Sequence, residues 1–209
     1  MYLFGLRLSM AYTKDTISNA AQSVRDYLIQ KNVISTEPPY LTLNSTSEAG
    51  NVSCPVVEAL GGRLNVISPW EANWGDGIIK ILPKGQGHSF EILLPTSTSP
   101  KRDVFTVSHE LGHLFLHFEY PSETGKWKEF SEGDGFEFKD SVMFRSGVNS
   151  SEYEANEFAA SFLMPKQKFD EVVTVEEISK NGFDGIADRF GVSFDAVKTR
   201  GAFLGNWNW

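Results

Sequence analysis

The stretch FTVSHELGHLFLHF, residues 105–118, decides the fold of this chain. Its apolar side chains recur at helical spacing, which predicts a buried helix. These side chains are Phe105, Val107, Leu111, Leu114, Phe115 and Phe118. The motif H-E-x-x-H lies inside this helix, with its histidines at His109 and His113. Positions i and i+4 lie about 40° apart around a helix and about 6 Å apart along it, so both imidazoles can reach one metal ion.

The glutamate of the motif, Glu110, lies one step around the helix from His109. From there it can hydrogen-bond a water molecule at the metal, which is the general-base position of a metalloprotease. Two other interpretations exist: hydrogen-bonded core histidines beside an exposed Glu110, and a purely structural zinc site. Structural zinc sites usually have four ligands rich in cysteine, and Cys54 is the single cysteine here. The motif therefore favours a metal site with an open position for water.

A third protein ligand must come from elsewhere in the chain. The metzincin pattern requires glycine and histidine where this sequence has Leu116 and Glu119, so that class is excluded. Cys54 could complete a deformylase-like site, but Ser53 and Pro55 flank it in place of that family's Glu-Gly-Cys context. We expect Cys54 to be a small buried apolar residue. A carboxylate from a second helix is the remaining source.

The second helix is predicted over residues 151–164, with Ser151 as N-cap. Glu152 and Asn156 share one face at i,i+4, so Glu152 can bind the metal while Asn156 hydrogen-bonds a ligand imidazole. Glu154 lies about 200° around the helix from Glu152 and is expected to point elsewhere. Glu154 and then Glu157 are the alternative ligands. All three could instead form a solvated acidic first turn that favours the helix dipole.

Other polar residues near the motif have secondary expectations. His117 continues the histidine stripe and is expected to contact a ligand or line the cleft, because it lies about 6 Å beyond His113 along the helix. His88 lies in a glycine-rich turn and is expected to be exposed. Tyr120, Tyr153 or a loop residue could stabilise an oxyanion, and the sequence does not choose among them.

The remaining patterns predict an α+β fold with a small twisted sheet. An amphipathic helix is expected over residues 15–31 with Asp15 as N-cap, and a short helix over 55–60. Strands are expected at 64–67, 77–82 and 89–94. Residues 120–149 are expected to form a long loop that can carry short strands, and 175–203 two or three short helices. We assign residues 1–170 to a metallopeptidase domain and 171–209 to a helical tail.

The composition excludes several classes of protein. The chain has 209 residues, with 19 Lys and Arg against 27 Asp and Glu, for a net charge of −8. Such an acidic surface repels a phosphate backbone, so direct binding of nucleic acid is not expected. No apolar run approaches the roughly 20 residues of a membrane-spanning helix, and a single cysteine cannot form an internal disulfide. We expect a cytoplasmic protein that does not enter a membrane.

The two motif segments resemble the ImmA/IrrE family of metallo-endopeptidases. FTVSHELGHLFLH at 105–117 and EYEANEFAASFLMP at 152–165 match in order. The lead-in at 55–62 with strands ending at 92–95 is similar to the usual one, and IADRFGVS at 186–193 resembles the family's helix-turn-helix-like tail. The resemblance covers roughly residues 55–204, with high specificity in the two motif segments alone.

This resemblance implies a zincin-like, gluzincin-type fold with zinc on His109, His113 and Glu152, and with Glu110 activating the water. Two imidazoles and a carboxylate also suit Mn2+ and Fe2+. Members of the family are cytosolic and typically cut or inactivate a helix-turn-helix repressor of the XRE type. The implied outcome is derepression of mobile-element or stress-response genes.

Two further hypotheses compete with an active peptidase. One is a non-enzymatic, metal-stabilised regulator that binds a repressor or antitoxin-like partner, although such a scaffold has no need of Glu110. The other is a DNA-binding tail at 183–204. That segment has three basic residues, Arg189, Lys198 and Arg200, and three acidic ones, Asp184, Asp188 and Asp195. Its balanced charge is poor for phosphate contacts, so we expect it to pack on the core or to dock a partner.

Overall fold

A computed structural model describes residues 12–45, 52–68, 71, 77–95, 99–139 and 150–207. Its elements are, in chain order, α1 (Lys14–Gln30), β1 (Asn44–Ser45), β2 (Val52–Ser53), α2 (Pro55–Ala59), β3 (Gly62–Ile67), β4 (Ile78–Ile81), β5 (Phe90–Pro95), α3 (Pro100–Gly112), a π-helical turn (His113–His117), α4 (Gly125–Glu132), β6 (Phe136–Lys139), α5 (Ser150–Leu163), α6 (Lys166–Val172), α7 (Val175–Phe190) and α8 (Phe194–Leu204). The predicted α+β class is confirmed. Among the described residues, every helix is too short or too polar to cross a membrane.

The main sheet has four strands in the order β3-β5-β4-β6. Strand β3 is parallel to β5, whereas β4 is antiparallel to both of its neighbours. Successive side chains of a strand face opposite sides of the sheet, so alternate residues enter the main core. These are Leu64, Ile79, Ile81, Phe90, Ile92 and Leu94. The three predicted strands are confirmed to within two residues at each end.

Helix α1 packs along α5 through an apolar stripe. The stripe consists of Ile17, Ala21, Val24 and Leu28, as the helical spacing predicted. On the polar side of this contact the hydroxyl of Ser18 lies 3.1 Å from that of Ser161. The helix is capped by Thr13, whose side chain accepts from the backbone N–H of Thr16. The predicted cap at Asp15 was wrong, because that residue lies in the first turn, where its charge favours the helix dipole.

Helices α3 and α5 come into direct backbone contact at Gly112. A Cβ atom at this position would lie 2.9 Å from Cα of Ala155 and 3.0 Å from its carbonyl oxygen. Glycine therefore allows the two helices to approach more closely than any other residue would. Immediately after Gly112 the chain enters the π-helical turn, where the N–H of Phe118 donates to the carbonyl of His113 at 3.1 Å. This crossing brings the first turn of α5 beside the end of α3.

The segment 120–149 contains more regular structure than expected. The prediction of a long loop was wrong for α4, although β6 fits the short strands that we allowed for. Helix α4 is anchored by Trp127, whose ring centroid lies 4.5 Å from that of Tyr120. Strand β6 forms by pairing with the distant β4. Residues 140–149 lie outside the described part of the chain.

The C-terminal helices pack on the same core. The helical prediction for 175–203 is confirmed by α7, which has a kink at Gly182, and by α8. Arg200 of α8 is buried and forms an ion pair with Glu157 of α5, with Nη1 2.9 Å from Oε1. Helix α6, between α5 and this region, was not predicted. The division of the chain after residue 170 stays a prediction.

Candidate active site

The two histidines of the motif and Glu152 converge in the interior. The Nε2 atoms of His109 and His113 are 3.1 Å apart. The carboxylate of Glu152 places Oε2 at 3.3 Å from Nε2 of His109 and Oε1 at 3.4 Å from Nε2 of His113. All three residues are buried. Among the described residues, this is the one group of three or more His, Cys, Asp or Glu side chains arranged to hold a metal ion.

The geometry of this cluster fits a small divalent ion. Ligands about 2.05 Å from a tetrahedral centre lie about 3.3 Å from one another, close to the separations found here. Within the described part of the chain, the buried Oε2 atom of Glu152 has no hydrogen-bond partner. Burial raises the pKa of Glu152, but the adjacent imidazoles of His109 and His113 outweigh it and hold the pKa well below its usual range. The cluster therefore combines an ionised carboxylate with two imidazole nitrogens.

The outer nitrogen of His109 contacts Asn156. Its Nδ1 atom lies 2.9 Å from Oδ1 of Asn156, so an Nδ1–H group can donate to the amide oxygen. This arrangement leaves Nε2 of His109 without a proton and available to the metal. The contact predicted from the shared helical face of Glu152 and Asn156 is therefore present.

The outer nitrogen of His113 contacts a second histidine. Nδ1 of His113 lies 2.9 Å from Nδ1 of His117, and Nε2 of His117 lies 3.0 Å from Oε2 of Glu154. The other oxygen of Glu154 accepts the backbone N–H of Tyr12 at 2.7 Å. Burial, followed by the charge of His113, lowers the pKa of His117 to about 3. His117 is therefore neutral in this environment, and Phe138 of β6 covers His113 with its ring centroid at 4.7 Å.

Glu110 is fully buried and faces the start of β4. A Cβ atom on Gly77 would overlap Oε1 of Glu110 and lie 2.9 Å from Cγ2 of Thr106. The backbone at Gly77 therefore packs directly against the Glu110 carboxylate, with no side chain between them. The alternative interpretation that placed Glu110 on the surface was wrong, because α3 is covered by both the sheet and α5.

The other candidate residues lie apart from the cluster. Glu157 pairs with Arg200, and Glu154 contacts His117, so the solvated acidic turn that we considered was wrong. Cys54 is fully buried and outside the group, as expected for an apolar role. His88 and Tyr153 are exposed, and the hydroxyl of Tyr120 donates to the carbonyl of Leu60. Neither tyrosine is placed as an oxyanion donor by these contacts.

Sequence reasoning missed three residues that contact the site, Tyr12, Gly77 and Phe138. Tyr12 and Phe138 reach the histidines from sequence positions far from both motifs. Their contacts follow from the docking of α1 and from the pairing of β4 with β6. The one available signal was that Gly77 stands at the beginning of a predicted strand, where a glycine often marks close approach of a backbone.

Comparison with known proteins agrees with this geometry. The family model for the IrrE N-terminal-like domain, a peptidase family, matches residues 83–200, which is more than half of the chain. The match contains both motif segments and so confirms the resemblance seen in the sequence. A search of curated proteins found no match. The buried cluster and the family together indicate a metal site in a zincin-like α+β fold. The chain therefore belongs to the IrrE N-terminal-like peptidase family and is a metallopeptidase.

Proposed function

We propose that this protein is a zinc-dependent endopeptidase that hydrolyses a peptide bond in a protein partner. His109, His113 and Glu152 hold the ion, and Glu110 is the general base. The observation that carries the proposal is the convergence of ligand atoms from His109, His113 and Glu152 within 4.8 Å of one another, with the buried Glu110 next to His109 on α3. Mn2+ and Fe2+ suit the same donors.

In the proposed reaction the ion supplies electrostatic activation, and the protein supplies the proton transfers. A bound divalent ion supplies positive charge that polarises the scissile carbonyl and makes water easier to deprotonate. The carboxylate of Glu110 accepts a proton from the attacking water as the oxygen bonds to the carbonyl carbon. It then delivers this proton to the leaving nitrogen as the carbon–nitrogen bond breaks. Phe138 of β6 packs against His113 and shields this residue from bulk water.

The proposed substrate is a helix-turn-helix repressor of the XRE type, whose cleavage derepresses mobile-element or stress-response genes in the cytoplasm. Support for this choice comes from the resemblance to ImmA/IrrE proteins. In this proposal residues 1–170 form the peptidase, and the tail at 171–209 packs on it or docks the partner. Burial of Arg200 against Glu157 supports a tail that does not bind nucleic acid, since it removes from the surface one of the three basic side chains of segment 183–204.

The test compares wild type with Glu110→Gln. We expect both proteins to contain about one zinc ion per chain, because Glu110 is not a ligand. The cleavage rate of a purified XRE-type repressor or of a mixed peptide library, followed by mass spectrometry, should fall at least about a hundredfold in the variant. Glu152→Ala is the matched control and should lose both metal and cleavage.

Three results would contradict the proposal. Absence of metal from wild type would remove its basis, and undiminished cleavage by Glu110→Gln would remove the general base. Tight binding of a repressor by the metal-loaded wild type, with no cleavage of repressor or peptides, would favour the non-enzymatic regulator instead.

A further inference from the structure

We propose that His117 and Glu154 form a relay that orients His113 for the metal, and that both are positioning residues. This inference rests on the proposed function, because it takes His113 as a ligand. It gives a role to the buried Glu154 and the partly buried His117, which the hydrolysis itself does not use.

The relay is a continuous line of three contacts. Nδ1 of His113 meets Nδ1 of His117 at 2.9 Å, and Nε2 of His117 meets Oε2 of Glu154 at 3.0 Å. The far oxygen of Glu154 is fixed at 2.7 Å by the backbone N–H of Tyr12. The relay thus runs from the π-helical turn to α5 and on to Tyr12, two residues before α1.

Hydrogen-bond chemistry allows one arrangement of protons along this line. Nε2 of His113 faces Glu152 and His109, so it must be free of hydrogen to bind a metal. Its proton is then on Nδ1 and is donated to His117. Nδ1 of His117 accepts, so its own proton is on Nε2 and is donated to the carboxylate of Glu154. Every donor in the line meets an acceptor only when Glu154 is the terminal acceptor.

The π-helical turn is what makes the line possible. It carries both His113 and His117, and its wider spacing of backbone bonds is a feature frequent at functional sites. The ring centroids of the two histidines are 4.8 Å apart, so the rings lie side by side. In proteins, a carboxylate that accepts the outer N–H of a ligand histidine fixes its orientation and raises its basicity. Here His117 stands between the carboxylate of Glu154 and His113 and would transmit the same effect. His109 is supported differently, by the neutral amide of Asn156.

The experiment measures zinc affinity by competition with a chromophoric chelator. We expect Glu154→Gln and His117→Gln each to weaken zinc binding about tenfold to a hundredfold. The double variant should be no weaker than the worse single variant, since the two residues act in series. Asn156 supports the other ligand, His109. The loss of zinc affinity in Asn156→Ala should therefore multiply with the loss in Glu154→Gln. Tyr153→Phe, an exposed neighbour on the same turn, should bind zinc as wild type does.

Two additional measurements separate positioning from folding. Urea unfolding of the metal-free proteins shows whether a variant still folds, and Glu154→Asp, which keeps the charge, should recover part of the affinity. The visible absorption spectrum of the Co2+-loaded protein should change in His117→Gln and not in Tyr153→Phe, because it reports ligand geometry.

The relay is overturned if wild type binds zinc and if Glu154→Gln and His117→Gln both bind zinc as tightly as wild type does. It is also overturned if the losses of Glu154→Gln and His117→Gln multiply. A wild type that binds no zinc overturns the proposed function together with the relay, so the two failures are distinguishable.

Discussion

Gly77 determines how closely the sheet approaches the Glu110 carboxylate. A methyl group at this position would overlap Oε1 of Glu110 and press on Thr106. We therefore expect Gly77→Ala to displace the carboxylate without touching the proposed metal ligands. Its cleavage rate should fall about a hundredfold, as for a misplacement of about 1 Å, while its zinc content stays at the wild-type level.

Ile78→Val is the matched control for Gly77→Ala. Ile78 is the next residue and packs with Leu93 and Ile67 on the outer face of the sheet, away from Glu110. Its cleavage rate should remain within about twofold of wild type, since it shortens a side chain that does not touch the site. Equal rates for Gly77→Ala and Ile78→Val would contradict the steric argument.

Cys54 is expected to be chemically inert in the folded protein. Burial raises the pKa of its thiol from 9.0 to about 11, so the thiolate fraction at pH 8 is about a hundredfold below that of an ordinary cysteine. At pH 8 a chromogenic disulfide reagent should therefore react slowly with the native protein. In denaturant it should react at once with one thiol per chain. Rapid labelling of the native protein would show that Cys54 is accessible, contrary to its burial.

The placement of the candidate ligands could be predicted where it depends on local spacing, whereas their role as metal ligands stays a prediction. His109 and His113 lie together because they are four residues apart along a helix. Glu152 joins them because α5 crosses α3 at this point. Glu154 was expected to point away from the site. It is nevertheless buried, in contact with His117 and Tyr12. These partners come from other parts of the chain, so no helical spacing around Glu154 could predict them.

At the scale of single elements, α5 connects the site to the tail. Its first turn carries Glu152, and its later turns carry Glu157, which Arg200 of α8 neutralises in the interior. Removal of one partner from a buried ion pair leaves an uncompensated charge. We therefore expect Arg200→Ala to lower the free energy of unfolding by about 3 to 5 kcal/mol, as measured by urea denaturation.

Lys84→Ala provides the comparison for this measurement. Lys84 pairs with Glu132 on the surface, and their side chains are 67% and 45% exposed. Surface pairs contribute about 0 to 1 kcal/mol, so this variant should unfold close to wild type. If Arg200→Ala were equally mild, the tail would not be part of the folding unit that contains α5, and the division after residue 170 would gain support.

Element-level prediction worked for helices whose apolar stripe is complete in the sequence. Helices α1 and α5 match their predicted bounds to within one residue. The helix predicted at 105–118 begins five residues earlier, at Pro100, and is π-helical from His113 to His117. Helix α4 has eight residues and one strong apolar anchor, Trp127, so its pattern was too short to distinguish from a loop. The order of the strands could not be predicted either, because β6 reaches β4 across more than fifty residues and only tertiary contacts specify its register.

For the whole molecule, metal should act as a folding ligand. An ion that binds the folded chain alone, at about a thousandfold above its dissociation constant, adds about 4 kcal/mol to the free energy of unfolding. For a chain of this size, removal of metal with a chelator should lower the thermal midpoint by roughly 10 °C, as followed by circular dichroism. Addition of zinc should restore it.

Glu152→Ala serves as the control for the effect of the chelator. Without the carboxylate the cluster retains only His109 and His113, so the midpoint of this variant should not respond to chelator or to added zinc. Equal midpoints of wild type with and without chelator would mean that metal does not stabilise the fold.

Helix α5 also has electrically opposite ends. Buried Glu152 and Glu154 lie in its first turns, and buried Glu157 lies near its middle. At its carboxyl end, Arg25 donates to the carbonyl oxygens of Ser161 and Phe162, and Arg200 donates to that of Met164. An apolar stripe alone would let a helix dock in either direction along its neighbours. Acids toward one end and guanidinium groups at the other match the helix dipole in one direction only, so these charges favour the direction in which α5 packs along its neighbours.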